Sequence, residues 1–301
     1  MSRARPRALC RRTTAALFVV ALASTAMTGC SAASGEKAGP EDRIPVPSVT
    51  GIRDIDTVAG LKLPLEPYLF TDGEMSSLMR ARDALIQKCM RGLGLDYTPP
   101  KPQKHVGPKT MTERRYGLAD ADLAADSGYH MPGAEVRPEP PLPAEQYRAL
   151  TGEGAGKDVP EGGCAGQAEQ TLAGESPFGV SDISQDLNSK SYELSMQDKR
   201  VQSVFQSWSS CMDKAGYKYP DPMAAMSAPE FSRPEVGKGE VETAVADVRC
   251  KKNTNLIGVW YAVESAYQQK LIEKNSKKLD TIHAAKREQL KAAQKVTGDT
   301  E

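Results

Sequence analysis

Four polar side chains in two short motifs are the strongest candidates for a binding or catalytic site. Arg115 and Tyr116 stand before a glycine, and Tyr129 and His130 follow another glycine further along the chain. An arginine can hold a carboxylate with two parallel hydrogen bonds. The motifs are therefore candidates for a pocket that binds a small anion or a glycan. The interpretation that we favour for the same residues is a tyrosine-anchored loop with a surface histidine.

Motifs of common nucleophile, metal and cofactor sites do not occur in the sequence, which lacks HExxH, GxSxG, GxGxxG, DxDxDG and CxxC. Asp120, Asp122 and Asp126 lie close together, but positions i and i+2 of a helix do not face each other. No glycine of a calcium-binding loop accompanies them. We interpret these aspartates as a helix cap and a solvated face, and we expect neither a metal site nor a cofactor.

The cysteines predict disulfides in an oxidising compartment. Of the six cysteines, Cys10 and Cys30 lie near the N-terminus. The other four form an even set, as is typical of two disulfides in an exported chain; they are Cys89, Cys164, Cys211 and Cys250. A zinc site is a weaker alternative because the three histidines are scattered. A free catalytic thiol lacks any neighbouring motif.

An internal repeat favours one pairing of these cysteines. Residues 89–100 and 211–222 both match the pattern C-M-x-x-x-G-[LY]-x-Y-x-x-P, and each follows an amphipathic helical stretch. We interpret them as two related units that each close their own bridge, Cys89 with Cys164 and Cys211 with Cys250. Convergent capping of two unrelated helices would give the same match.

The N-terminus has the order of a signal peptide. Five arginines and no acid precede an apolar stretch, Ala15–Met27, which is too short to span a bilayer. The sequence Met-Thr-Gly-Cys then ends at Cys30 and resembles the bacterial lipobox, although most lipoboxes have Leu where Met27 stands. We expect cleavage after residue 29 and diacylation of Cys30, which anchors the chain in the lipid bilayer. A plain secretory signal is the alternative.

Composition excludes two broad classes of protein. Lys plus Arg and Asp plus Glu are both 39. This balance argues against a basic nucleic-acid binder, and one apolar run argues against a multispan membrane protein. Removal of residues 1–29 takes away five arginines and no acid, which leaves a net charge of −5.

Hydrophobic periodicity predicts a mainly α fold with two disulfide-linked helical units, long Pro- and Gly-rich loops and a long C-terminal helix. One helix begins at a capping box, Thr71 to Glu74, and ends at Gly94. A second covers 189–214, and a third helical region starts at Val241 and extends to about 296. The predicted domains are the signal peptide 1–29, a flexible tether 30–65, a first unit 66–177 and a second unit 178–301.

Residues 270–295 carry eight basic and three acidic residues, a local charge of +5. A solvated helix face is one interpretation of this stretch. The other is contact with an anionic wall polymer or with lipid headgroups.

The Cys-Met…Gly…Tyr…Pro helix ends and the Arg-Tyr-Gly…Gly-Tyr-His segment resemble a set of uncharacterised secreted lipoproteins of actinomycetes, of the Streptomyces type. The likeness covers roughly residues 70–260. It implies an envelope location and disulfides, and it implies no catalytic activity.

Together these patterns predict a membrane-anchored lipoprotein on the extracytoplasmic face of the cell membrane. The leading function is a non-enzymatic envelope binding or interaction module with a protein partner that the sequence does not identify. One alternative is an enzyme acting on cell-wall or exported substrates through Arg115, Tyr129 and His130. Another is the solute-binding component of a transporter, although the strand–helix alternation typical of such proteins is missing.

Overall fold

Helices joined by irregular segments make up the computed structural model, which describes residues 44–100, 110–131 and 141–298. These ranges contain no β-strand. The α-helices that they contain are α1 Asp72–Gly92, α2 Ala121–Ser127, α3 Ala144–Thr151, α4 Gly163–Ala173, α5 Asp182–Gln197, α6 Lys199–Lys214, α7 Pro222–Met226, α8 Lys238–Asn253 and α9 Leu256–Thr297. The predicted mainly α fold and long C-terminal helix are confirmed. The predicted signal peptide 1–29 and the lipidation site Cys30 lie outside the described ranges.

Local capping sets both ends of α1. The Thr71 hydroxyl accepts from the Glu74 amide at 3.2 Å, and the Glu74 carboxylate accepts from the Thr71 amide at 2.7 Å. At the other end, the Leu95 amide donates to the Met90 carbonyl at 2.9 Å across Gly94, which has a φ of +74°. The predicted beginning and end of this helix are therefore confirmed.

The repeated pattern produces the same cap at the end of α6. The Tyr217 amide donates to the Met212 carbonyl at 2.9 Å, and Gly216 has a φ of +92°. This is the bond that Leu95 makes to Met90 at the end of α1. Such a bond over a left-handed glycine satisfies carbonyls that a helix end would otherwise leave without a partner.

Both predicted disulfides are present. Cys89 of α1 is bonded to Cys164 of α4, with 5.6 Å between their Cα atoms. Cys211 of α6 is bonded to Cys250 of α8, with a Cα separation of 5.7 Å. The pairing inferred from the repeat is confirmed, and each bridge ties together two helices distant in sequence.

Two helices replace the single helix predicted over 189–214. The chain leaves the helical conformation at Asp198, whose φ and ψ are −70° and 135°. Its carboxylate accepts from the Arg200 amide at 2.9 Å and so caps α6. A second break occurs at Asn255, with a φ of +48°, which separates α8 from α9. The apolar period continues through both breaks, so periodicity alone did not reveal them.

The largest hydrophobic core lies among α5, α6, α8 and the first half of α9. Trp208 and Trp260 are fully buried at its centre, and the Phe205 and Trp260 rings pack edge to face with centroids 4.9 Å apart. Smaller apolar clusters join α1 to α3, α4 and the second half of α9.

A bend lets α9 contact two groups of helices, namely α5, α6 and α8 around the large core and α1, α3 and α4 around the smaller clusters. Asn275 has non-helical φ and ψ of −115° and 15°, and its side-chain amide donates to the Leu271 carbonyl at 2.8 Å. Before the bend α9 contributes Trp260 to the large core, and after it Ala293 packs with α1 and α4. The described residues from Ile44 onward form one compact unit. The division at 177–178 rests on the internal repeat and stays a prediction.

Part of the segment assigned to the tether lies along the helical body. Pro47 is buried, and its carbonyl accepts from Arg200 at 3.0 Å. Leu63 and Leu65 are also buried, and the Leu65 amide donates to Gln268 of α9 at 2.9 Å. The described part of this segment, from Ile44 to Leu65, has no helix and packs as irregular chain with turns, which fits its lack of an amphipathic period. Among the residues described, no helix is long and apolar enough to cross a membrane.

Candidate functional site

Segment 110–131 carries both polar motifs and lies against α8 and α9. Its short helix α2 packs on α8, and the Tyr116 ring packs on Trp260 of α9 with centroids 5.2 Å apart. Gly117 makes the turn after Tyr116 with a φ of +80°, and a Cβ there would lie 2.5 Å from the Nζ atom of Lys251. Glycine therefore meets both the conformational and the spatial requirement of this turn.

Arg115 and Tyr116 converge on one buried carboxylate, that of Glu264 on α9. The Arg115 Nε donates to both Glu264 oxygens at 3.0 Å, and Nη2 donates to Glu264 Oε1 as well. The Tyr116 hydroxyl donates to Glu264 Oε2 at 2.9 Å, and the Ser191 hydroxyl donates to Oε1 at 3.1 Å. Arg115 Nη2 also donates to the Asn188 carbonyl at 3.0 Å. The guanidinium is thus bound by α5 and α9 together.

Burial and charge act on the pKa values of this cluster. Burial works to lower the pKa of Arg115, but its hydrogen bonds to Glu264 and the Glu264 charge raise that pKa above its ordinary value. Burial raises the pKa of Tyr116 well above its usual range, and the nearby Glu264 charge raises it further. Arg115 therefore stays a cation and Tyr116 stays a neutral donor.

Tyr129 and His130 converge on a second carboxylate, that of Glu240 on α8. The Tyr129 amide donates to Glu240 Oε1 at 2.8 Å, and His130 Nδ1 lies 2.7 Å from the same oxygen. His130 Nε2 lies 2.7 Å from the Arg233 carbonyl. Because both ring nitrogens face acceptors, the doubly protonated imidazolium fits this position. The Glu240 hydrogen bond is the main cause that raises the pKa of His130.

Asp247 and Lys251 form a third buried polar cluster on α8. Lys251 Nζ donates to Asp247 at 2.8 Å and to the Leu118 carbonyl at 2.8 Å. Asp247 also accepts from the Trp208 indole at 2.9 Å and from the Tyr129 hydroxyl at 3.3 Å. Burial raises the pKa of Asp247 and lowers that of Lys251. The three donors around Asp247 favour its charged form and hence the ion pair.

Arg114 connects the two polar motifs. Its Nη1 donates to the Tyr129 carbonyl at 2.7 Å, and its Nη2 donates to the His130 carbonyl at 2.9 Å. The structure therefore brings together both ends of segment 110–131, while Arg115 and His130 pair with separate carboxylates. These contacts hold the segment against the helical body, and the binding of a small anion or glycan there stays a prediction.

Sequence analysis did not identify the residues that complete these clusters, which are Arg114, Glu240, Asp247, Lys251 and Glu264. Only one pair among these residues had a local sequence signal that could have identified it. Asp247 and Lys251 are four residues apart, a spacing that places opposite charges together on one helix face. Glu240 and Glu264 are separated from their partners in segment 110–131 by more than 100 residues, so no local pattern connects them.

No cluster of three or more His, Cys, Asp or Glu side chains that could hold a metal ion occurs in the part of the chain that the structure describes. Comparisons with protein-family models, with curated proteins and with solved structures gave no match to this chain.

Proposed function

We propose that the protein is a lipid-anchored extracytoplasmic binding module, attached to the cell membrane through diacylated Cys30. The observation that carries this proposal is the pair of disulfides, Cys89–Cys164 and Cys211–Cys250. Disulfides persist in oxidising compartments outside the cytosol. The lipobox-like sequence that ends at Cys30 supports the anchor, since two acyl chains hold a protein at a bilayer far better than one.

The polar clusters support a binding role over an enzymatic one. Arg115, Tyr116, Tyr129 and His130 are hydrogen-bonded to carboxylates of α8 and α9. Such contacts fix a loop on a scaffold and leave the exposed faces of the helices for recognition of a partner. The proposed activity is therefore presentation of a rigid, disulfide-bonded surface at the outside of the membrane.

Growth of the native cells with an alkyne-labelled fatty acid tests the anchor. We expect the label on the wild-type chain in the membrane fraction and its loss from the Cys30→Ser variant. Cys89→Ser with Cys164→Ser is the matched control, because it removes cysteines without removing the proposed lipid site, and it should retain the label. Absence of label from the wild-type chain would refute the anchor.

Attachment to an anionic surface through residues 270–295 is a second candidate function. Lys277 and Lys278 are exposed directly after the bend at Asn275. Not every cation of the stretch is accessible, since Lys286 is buried and pairs with Glu74 at 2.8 Å. Each accessible cation contributes about 1 kcal/mol near an anionic membrane surface.

Cosedimentation with phosphatidylglycerol vesicles, using delipidated protein, tests this second function. We expect binding at low salt that is lost at high salt. Replacement of Lys277 and Lys278 by Gln should weaken binding, whereas replacement of Lys199 and Lys238, on other helices, should not. Equal binding by the two double variants, or no binding at low salt, would refute it.

A further inference from the structure

A surface cleft of about 470 Å³ opens between α6 and α8 beside the Cys211–Cys250 disulfide. Small-molecule sites typically measure roughly 300–1,000 Å³, so the cleft is large enough for a ligand. Contacts between Trp208 and Asp247, and between Cys211 and Cys250, show that the two helices run side by side in the same direction. The disulfide therefore fixes the distance between the two walls.

Two cations face this cleft, Lys214 on α6 and Arg249 on α8. Both are exposed, and no acid among the described residues forms a salt bridge with either of them. Nearby Lys252 differs, because it pairs with Asp56 at 3.1 Å. Each helix C-terminus contributes a partial charge of roughly −0.5. Two full positive charges exceed this contribution and leave the cleft positive.

The hydroxyl groups of the cleft offer acceptors rather than donors. Ser207, Ser210 and Thr254 donate their protons to carbonyls one turn earlier, at 3.2, 2.9 and 2.8 Å respectively. Their oxygen lone pairs stay available because each hydroxyl has one proton and two lone pairs. A ligand that matches the cleft therefore carries hydroxyl groups that donate to these oxygens.

We propose that the cleft binds a small anionic polyol, a molecule with a carboxylate or phosphate group next to several hydroxyls. Lys214 and Arg249 bind the anionic group, and the side-chain amide of Asn253 contributes from the α8 wall, which also carries Arg249. Ser207, Ser210 and Thr254 accept from the ligand hydroxyls. The residues that line the cleft include neither Cys30 nor any residue of segment 110–131, so the proposal holds whether or not the chain carries a lipid.

Isothermal titration calorimetry on the full chain purified from its native cells tests the proposal. The probes are D-glucuronate and glycerol 3-phosphate, which distinguish a carboxylate from a phosphate ligand. The references are D-glucose, which lacks the charge, and inorganic phosphate, which lacks the carbon-bound hydroxyls. We expect at least one probe to bind more tightly than both references.

The decisive comparison uses two double variants on the same helices. Replacement of Lys214 and Arg249 by Gln should weaken probe binding roughly tenfold or more, as loss of a charge-assisted hydrogen bond predicts. Lys199→Gln with Lys238→Gln removes the same charge from the opposite ends of α6 and α8 and should leave binding unchanged. Circular dichroism should show both variants folded.

Three results would overturn the proposal. The first is no binding of either probe, and the second is equal weakening in the two folded double variants. The third is binding of glucose or inorganic phosphate that is as tight as that of the better probe. Equal binding of glucose would show that the anionic group is not recognised, and equal binding of phosphate would show that the hydroxyls are not recognised.

Discussion

Glu264 accepts hydrogen bonds from three residues, as many as Asp247 does, and it is the carboxylate that binds Arg115. It is fully buried and accepts from Arg115, Tyr116 and Ser191. A buried charge is tolerated only when it is paired and hydrogen-bonded. Arg115, the strongest candidate for binding an external anion, is therefore the residue that neutralises an internal one.

Removal of the Arg115 charge should strongly destabilise the fold. Arg115→Gln leaves Glu264 buried without its cation, and the loss of one partner from such a pair costs about 3–5 kcal/mol. Urea denaturation of the full chain measures this change. Lys238→Gln is the control, because it breaks an exposed pair with Glu242 at 3.6 Å and should have little effect. Similar unfolding curves for Arg115→Gln and wild type would contradict the structural role.

His130 should make stability depend on pH. Its pKa in the folded chain is raised above 6.5, chiefly by the Glu240 hydrogen bond, while the charge of Arg114 opposes the shift. The protonated form therefore stabilises the fold fully below about pH 6.5, and this contribution is lost as the pH rises through the raised folded pKa.

The difference between wild type and His130→Gln isolates this titration from those of other groups. Urea midpoints measured from about pH 5.5 to about pH 8.5 should show a wild-type advantage at acidic pH that shrinks as the pH rises. A difference that stays constant would show no linkage to His130, and one that grows with pH would have the opposite sign; either result would exclude a protonated His130 bound to Glu240.

At the scale of helices, each disulfide joins elements that also pack through apolar side chains. Cys89–Cys164 closes a separation of 75 residues, and Cys211–Cys250 closes one of 39 residues. The chain-entropy estimate gives about 4 kcal/mol for either bridge, slightly more for the longer loop. We expect each Cys→Ala double variant to lose stability of that order, as measured by urea denaturation.

The combination of both double variants checks that estimate. Loss of both bridges should cost more than loss of either one, and it should lower the thermal midpoint further. If one double variant matched the wild-type protein in stability, the corresponding bridge would not constrain the unfolded chain in solution.

Helix ends could be predicted where their signals are local. Thr71 and Glu74 are three residues apart, and Gly94 and Gly216 follow their helices directly. The disulfide pairing could be predicted for a related reason. The repeated pattern is a local signal that identifies two equivalent helix ends, each with one cysteine of a separate bridge. The breaks at Asp198 and Asn255 were missed because apolar residues continue on both sides and tertiary packing decides where the chain turns.

The candidate site could be predicted only in part. The sequence identified Arg115, Tyr116, Tyr129 and His130 as a group, and the structure brings their segment together through Arg114. It did not identify the carboxylates that bind them, because those lie on α8 and α9, far away in sequence. The residue types show that these side chains can form hydrogen bonds. Only the tertiary fold decides whether they bind a carboxylate of the same chain or an external ligand.

At the scale of the whole molecule, α9 connects the two groups of helices. Its first half packs in the core around Trp260, and its second half packs on α1 and α4 beyond the bend at Asn275. Hydrophobic periodicity predicts a long C-terminal helix but not its bend, which lies at a polar residue within a continuous apolar stripe. The irregular segment 44–65 contacts the same body through Pro47 and Leu65.

The central claim is that this body is displayed outside the cytosol on a lipid anchor. Intact-mass spectrometry of the chain purified from native membranes without reduction tests it most directly. We predict a polypeptide that begins at Cys30 and carries diacylglycerol, with Cys89, Cys164, Cys211 and Cys250 protected from alkylation until they are reduced. The claim would be contradicted by a chain that retains residues 1–29, by one that begins at an unmodified Cys30, or by one whose other four cysteines are alkylatable without reduction.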